Sequence, residues 1–281
     1  MKKSICLVLP LLLLATFAIA QTTGSPKAKE AAKPATELKE VMTLPMPGID
    51  GANGASVVWH PLQKKYYSAI AGNVKFAMAI FDVKGKRLSS DTLKTGFDVR
   101  GLWYNPKKKA LQTNGYSDFG WGEYSLNSKG IPVFVKTLFE GMNQPAEQSV
   151  GAYNPVKNEV YFFNDDGNIT VYNAADGVEK DIITLYLATR KEEADEFTDN
   201  LEILYDYNLS TVVYTGIKGS ELALLSSATG EIEWYDISTG YMTRAQLLPE
   251  TAPMEENLNF SFANGIYWLF DKTTRAWKGY K

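Results

Sequence analysis

The sequence is poor in the side chains that carry nucleophilic and transition-metal chemistry. Its one cysteine is Cys6 and its one histidine is His60. Residues 21–281 contain no cysteine, so they can form neither a disulfide nor a thiol nucleophile. A single histidine is also too little for the usual zinc sites, and no pattern around it indicates a Ser-His-Asp triad. We therefore expect the fold to be stabilised by burial alone, and His60 to be structural.

An excess of positive charge is also missing. The chain has 29 Lys and Arg against 32 Asp and Glu, a formal net charge of −3. Nucleic acids and anionic membranes attract basic proteins, so neither is an expected partner. The short run Lys107–Lys109 is interpreted as a solvated turn.

No apolar run reaches the length of a membrane-spanning helix. The run from Ile5 to Phe17 follows Lys2 and Lys3 and is followed by the small residues Ala18-Ile19-Ala20. This pattern predicts a signal peptide over residues 1–20, cleaved near Ala20. We expect a secreted or periplasmic protein with no transmembrane segment.

A short polar stretch separates this segment from the rest of the chain. Residues 21–37 are rich in Ala and Lys and contain two prolines. They bury too little to order themselves, which predicts a flexible leader. From Leu38 to Lys281 the sequence alternates apolar residues with Gly and Asn turns, which indicates a single domain over 38–281.

An internal repeat is the strongest signal in this domain. Five segments each contain an apolar strand, an aromatic residue, a turn of Asn, Asp, Pro or Gly, and a second strand. The aromatic residues are Trp59, Tyr104, Tyr153, Tyr205 and Phe262, spaced 45, 49, 52 and 57 residues apart. Such spacing is typical of four-stranded β-propeller blades. The sequence predicts an all-β fold, a single β-propeller of about five four-stranded blades.

The two ends of the domain complement each other. The fifth repeat stops at Lys281 one strand short, and ELKEVMTL at 38–45 is a strand with no partner of its own. Pairing this N-terminal strand with the C-terminal blade would close the ring and remove an exposed edge. A β-sandwich built from the same strands is the alternative.

Residues 38–281 resemble secreted propellers with degenerate repeats, of the WD40, YVTN and gluconolactonase-like class. The resemblance rests on the blade repeat described above. The Gly-His and Trp-Asp pair of WD40 repeats and the Asp boxes of sialidases are absent. The resemblance therefore implies the fold and carries over no catalytic residue.

The predicted blades make the two faces of the propeller unequal. The turns between first and second strands are tight, so the long connections share the other face, called here the long-loop face. Binding residues concentrate on long loops of a rigid scaffold. The positions six residues before each aromatic are acids or amides and are expected to surround the channel mouth on this face: Asn53, Asp98, Glu147, Asp199 and Glu256.

Oxygen ligands that converge from several blades suit Ca²⁺ or a hydroxyl-rich ligand. Asp98 and Asp199 are the best metal candidates, and Glu202 and Asn259 follow further along the channel. Turn-forming polar residues at a wet channel mouth explain the same pattern without a ligand.

In the loop 113–122, Trp121 is expected either to stack on a ligand or to cover a neighbouring blade.

Two functions stay open on this basis. The first, favoured by the lack of a catalytic motif, is an exported non-catalytic propeller. It would bind a small polar ligand, a glycan or an extracytoplasmic protein on its long-loop face. The second is an enzyme, either a metal-assisted lactonase or a glycoside hydrolase with a carboxylate pair at the channel mouth. Ca²⁺ is the one cofactor the pattern suggests.

Overall fold

The computed structural model describes residues 36–48, 52–72, 77–96, 98–196 and 203–281. These residues form five small, mainly antiparallel sheets in a ring, which confirms the predicted all-β propeller of five blades. In the described part of the chain, no helix has the length and apolar character needed to cross a membrane.

The described part of the chain begins with two short strands and then forms the blades in order, each from the channel outwards. The first strands are β1 (Thr36–Glu37) and β2 (Glu40–Pro45). The first blade has three strands, β3 (Asn53–His60), β4 (Lys65–Ala71) and β5 (Met78–Phe81). The second has four, β6 (Val99–Asn105), β7 (Ala110–Gly115), β8 (Trp121–Leu126) and β9 (Pro132–Phe139).

The remaining blades follow the same plan. The third blade comprises β10 (Ala152–Asn154), β11 (Glu159–Phe163), β12 (Ile169–Asn173) and β13 (Glu179–Ile183). The connecting strand β14 (Tyr186–Arg190) precedes the fourth blade, β15 (Val213–Tyr214), β16 (Leu222–Ser226), β17 (Glu231–Tyr235) and β18 (Tyr241–Leu247). The fifth contributes β19 (Phe260–Ala263), β20 (Ile266–Asp271) and β21 (Ala276–Tyr280). Short 3₁₀ segments lie at Ser117–Phe119, Lys191–Glu196 and Leu204–Asp206.

Burial on both faces explains why the middle strands are nearly continuous apolar runs. Every residue of β11 and of β16 is buried, since each blade packs between two others. The outer strand β13 is largely exposed and reads EKDII. Between the second and third blades the core is aromatic, with the Trp103 ring 5.4 Å from that of Trp121.

The predicted ring closure is confirmed. Strand β2 pairs antiparallel with β21, from Glu40 opposite Tyr280 to Pro45 opposite Ala276, and completes the fifth blade. The predicted signal peptide over residues 1–20, and residues 21–35 of the predicted leader, lie outside the described residues. Thr36 and Glu37, the last two residues assigned to that leader, pair in parallel with β18 of the fourth blade. The start of the described chain thus joins two neighbouring blades.

The predicted register of the fourth blade is wrong. Tyr205, taken as its anchoring aromatic, lies in a 3₁₀ segment and is 79% exposed. The inner strand is β15, and Tyr214 occupies the position that Trp59 has in the first blade. The segment between β13 and β15 contains apolar and aromatic residues, and their pattern resembles the pattern of an inner strand.

We predict that closure by β2 contributes strongly to stability. Leu44 is fully buried among the side chains of the first and fifth blades, so Leu44→Ala should lower the free energy of unfolding by about 2–5 kcal/mol. Val41, on the same strand, is half exposed, and Val41→Ala should change it by less than about 0.5 kcal/mol. Urea denaturation measures both, and equal effects would contradict the closure.

Candidate functional site

The polar residues predicted to surround the channel mouth on the long-loop face join neighbouring blades. The Asn259 side-chain amide, 2% exposed, accepts from the Gly54 N–H at 2.7 Å and donates to Asn53 Oδ1 at 3.0 Å. These bonds connect the fifth blade to the first. Both predicted ligand residues are therefore hydrogen-bonded within the protein.

The corrected register replaces Asp199 with Asn208 in this set. Asn208 lies six positions before Tyr214, is fully buried, and donates to the carbonyls of Leu258 at 2.7 Å and Glu255 at 2.8 Å. It thereby joins the fourth blade to the fifth. Asp199 and Glu202 lie outside the described residues, and the register that selected them no longer applies.

A third buried amide, Asn114 on β7, was not predicted. Its Oδ1 accepts from the N–H groups of Gly101 at 2.9 Å and Gly151 at 3.1 Å, and its Nδ2 donates to the Ser149 carbonyl at 2.8 Å. A Cβ on Gly101 would lie 2.6 Å from the Gly151 nitrogen, so the two inner strands approach too closely for a side chain. The second and third blades are joined here.

Asp98 is 3% exposed and pairs with the equally buried Arg100 two residues later. It also accepts from the Gly72 N–H at 3.1 Å, which connects the first blade to the second. The Arg100 guanidinium donates to Gln148 Oε1 at 2.7 Å and lies 4.8 Å from the centre of the Tyr116 ring. The Asp98 carboxylate therefore already has a cationic partner.

The two remaining acids of the predicted set are exposed. Glu147 accepts from the Tyr116 hydroxyl at 2.6 Å, and this hydrogen bond raises the pKa of Tyr116. Glu256 contributes its backbone carbonyl to the Leu209 N–H at 2.7 Å. Within the described residues, no three His, Cys, Asp or Glu side chains are close enough to hold a metal ion. The Ca²⁺ site stays a prediction, since it also depends on Asp199.

Trp121 does not present an exposed ring. It is 1% exposed, its indole N–H donates to the Asn143 carbonyl at 3.0 Å, and its ring contacts Phe139 and Phe162. The expectation that Trp121 stacks on a ligand is therefore corrected. The ring covers the third blade, the alternative considered for it, where it contacts Phe162.

A cavity of about 420 Å³ lies at the opposite end of the channel, on the face that carries the tight turns between first and second strands. It is called here the tight-turn cavity. The equivalent position of each inner strand contributes one aromatic residue to its lining: Trp59, Tyr104, Tyr153, Tyr214 and Phe262. Trp103 and Phe260 line it as well. Pro61, Pro106 and Pro155, all exposed, lie at its edge. Sequence reasoning used four of these aromatics to set the repeat and did not foresee that they line a cavity.

Neighbouring rings hold the aromatic residues of the cavity in place. Trp59 packs 4.6 Å from Tyr66, Tyr104 packs 4.1 Å from His60, and Phe262 packs 4.9 Å from Tyr267. Burial raises the pKa of Tyr153 and of Tyr214, so both hydroxyls stay protonated at neutral pH. The cavity wall is preformed and uncharged.

Polar groups are few at this cavity. None of the described residues that line it is charged. Hydroxyl-bearing residues of the lining include Ser56, Thr211 and Ser261. Ser261 is engaged with the backbone of Val57, at 3.0 Å to both its N–H and its carbonyl. The arrangement is suited to holding an apolar or aromatic group.

Comparison with known proteins identifies the fold and no family. No family model and no curated protein matches this sequence. The structure is similar to a crystal structure of glutaminyl cyclase from Myxococcus xanthus, with a TM-score of 0.56 and 9% identity over 89% of this chain and 98% of that chain. At this identity the likeness shows the propeller fold alone.

Two further solved structures are more distant. A nidogen/laminin complex matches with a TM-score of 0.38 and 10% identity, covering 69% of this chain and 63% of that chain. A mitotic checkpoint complex matches with a TM-score of 0.43 and 11% identity, covering 95% and 99%. Neither likeness bears on function.

We predict that the Asp98–Arg100 pair is structural. Arg100→Met leaves a buried carboxylate without its partner and should lower the free energy of unfolding by about 3–5 kcal/mol. Lys272→Met, which removes the partly exposed pair with Glu255, should change it by about 1 kcal/mol or less. Urea denaturation at neutral pH compares the two variants. A loss of stability no larger in Arg100→Met than in Lys272→Met would contradict the structural role.

We predict a pH dependence of stability from His60. Its Nδ1 accepts from the Gln63 N–H at 3.3 Å, and burial lowers its pKa. Below its ordinary pKa the unfolded chain binds the proton more readily, so stability is present above that value and is lost as pH falls. The chain has no other histidine, and urea denaturation at about pH 7.5 and about pH 5.5 measures this effect. Burial also raises the pKa of Glu233, so a variant without the histidine is needed to separate the two groups.

The matched variant is His60→Asn. Asn105 and Asn154 occupy the corresponding turns of the second and third blades, and each accepts turn N–H groups through Oδ1. An asparagine can therefore replace Nδ1 as acceptor without titrating. The variant should lose less stability than the wild type on acidification, and an identical pH dependence would contradict the prediction.

Proposed function

We propose that this protein is a non-catalytic binding propeller whose ligand inserts an uncharged apolar or aromatic group into the tight-turn cavity. The observation that carries the proposal is the set of five aromatic residues, at the equivalent position of each inner strand, that surround a cavity of about 420 Å³. Because the five blades contribute alike, the feature belongs to the whole ring and not to one loop.

Size and composition support this proposal. Small-molecule sites are concave, mostly apolar and about 300–1,000 Å³ in volume, and this cavity falls within that range. Aromatic faces contribute through burial and through stacking on planar groups or on the apolar face of a sugar. The Tyr153 hydroxyl donates to Asn158 Oδ1 at 2.9 Å and can still accept a hydrogen bond from a polar substituent, and the protonated Tyr214 hydroxyl can donate to one.

The same composition favours binding over catalysis. Hydrolysis needs an acid or base within hydrogen-bond reach of the bound group, and the described lining residues include no charged side chain and no histidine. The lactonase or glycosidase alternative depended on Asp98, which Arg100 engages, and on Asp199, which lies outside the described residues. The predicted signal peptide over residues 1–20 supports a role outside the cytoplasm.

Binding of the uncharged fluorescent probe N-phenyl-1-naphthylamine tests the proposal. The wild type should bind it saturably, and Phe262→Ala should weaken binding about tenfold, because one wall of the cavity is lost. Phe262→Tyr keeps the ring and should retain binding. Fluorescence titration gives the dissociation constants.

The matched control is Phe119→Ala. Phe119 is 48% exposed and follows Tyr116 on the long-loop face, so its loss should leave probe binding unchanged. Saturable binding that Phe119→Ala abolishes and Phe262→Ala does not would place the ligand on the long-loop face. Absence of any binding would contradict the proposal.

A further inference from the structure

The turns around the tight-turn cavity carry a concentration of positive charge. Six exposed lysines, called here the rim lysines, lie in four of the five turns between first and second strands: Lys64, Lys107, Lys108, Lys109, Lys157 and Lys218. The turn segments 61–64, 106–109, 155–158, 215–220 and 264–265 contain no Asp or Glu. In a chain with a net charge of −3, these turns have the opposite sign.

The rim lysines are available to a partner. Among the described residues, none of the six forms an ion pair. Glu159 and Glu221 directly follow two of these turns and have partners of their own: Glu159 pairs with Lys180, and Glu221 accepts from the Gly219 N–H at 2.8 Å. Asp82 and Asp236 lie further out, in the hairpins between third and fourth strands. Asp82 accepts from the N–H groups of Lys84 and Lys86, and Asp236 accepts from that of Ser238. Unneutralised cations close together favour an anionic partner.

Exposed apolar side chains accompany the lysines. Leu62, Val156 and Ile217, the rim apolar residues, are 75%, 82% and 43% exposed and occupy three of the same turns. An exposed apolar patch with a charged border is typical of an interaction surface. Together with the cavity, the face offers a recess for one inserted side chain, apolar contacts around it and cations outside.

The turns that carry these groups are rigid. In each, the side chain that begins the turn accepts N–H groups of the turn itself: Asn105 from Lys107 at 3.0 Å, Asn154 from Val156 at 3.0 Å, and Thr215 from Ile217 at 3.1 Å. A surface held in one conformation loses less entropy when it binds.

We propose that the tight-turn face binds an acidic peptide segment of a partner protein, one of whose aromatic or branched aliphatic side chains enters the cavity. The proposal rests on the proposed function and adds the chemistry of the ligand. Charge complementarity indicates the carboxylates, since the rim lysines form no ion pair with any residue that the structure describes. The recess argues for a peptide, because a side chain can enter a cavity on the channel axis and a flat bilayer surface cannot.

Fluorescence anisotropy with three labelled peptides tests this inference. The probes are Glu-Asp-Trp-Asp-Glu, the same peptide with alanine in place of tryptophan, and Lys-Lys-Trp-Lys-Lys. The first should bind at least about tenfold more tightly than the other two. Its affinity should fall between about 0.01 M and about 0.15 M salt, as screening of the rim lysines increases.

Two charge-matched triple variants locate the surface. Lys107→Glu with Lys108→Glu and Lys109→Glu should weaken binding of the acidic peptide about tenfold and leave the naphthylamine probe unaffected. The control, Lys84→Glu with Lys86→Glu and Lys129→Glu, makes the same change of charge on exposed residues of the outer hairpins and should retain peptide binding. All six substituted side chains are exposed, so folding is preserved.

The outcomes separate the two proposals. If the naphthylamine probe binds but the three peptides bind alike, or both triple variants lose the acidic peptide equally, the inference is overturned and the proposed function stands. If vesicles of phosphatidylcholine and phosphatidylserine bind through the rim lysines and the acidic peptide does not, the partner is a membrane and the inference is again overturned. Failure of the naphthylamine probe itself contradicts the proposed function.

Discussion

The structure depends on how the free edges of five inner strands are satisfied where they converge. Backbone N–H and C=O groups along such edges need partners, and a converging ring leaves little room for water. Buried side chains provide them: Asn114 between the second and third blades, Asn208 between the fourth and fifth, Asn259 between the fifth and first. The third and fourth blades are joined by the backbone itself, from the Val150 N–H to the Ser210 carbonyl at 2.8 Å. Several polar side chains that precede the inner strands thus join neighbouring blades by hydrogen bonds.

Much of the fold was predictable because burial on both faces imposes the same strand rhythm on every blade. The repeat identified the propeller, and the unpaired strand at Glu40–Pro45 identified its closure. The fourth blade was misjudged for a physical reason. Apolar periodicity over a few residues does not distinguish a strand from a 3₁₀ segment, and Tyr205 lies in such a segment ahead of the true inner strand with Tyr214.

The site was less predictable, because the state of a polar or aromatic side chain depends on its neighbours in space. A carboxylate such as that of Asp98 is a typical metal ligand, but here it pairs with Arg100. Side chains two residues apart in an extended chain lie on the same side, and this spacing is the signal that could have revealed the pair. The sequence shows that Trp121 follows a glycine-rich loop, but not that its ring is buried beneath that loop. The five aromatics of the tight-turn cavity were visible as a repeat, whereas the space between them arises only when the blades assemble.

The pairing of β2 with β21 also has a kinetic meaning. The two strands lie near opposite ends of the described chain, so their pairing closes a loop that contains nearly the whole propeller. Contacts between such distant segments carry a large loop-closure entropy and slow the acquisition of the native state. Until they form, the unpaired edge of the fifth blade stays open to strands of other molecules. Late pairing of β2 would therefore leave this edge open to aggregation for longer during folding.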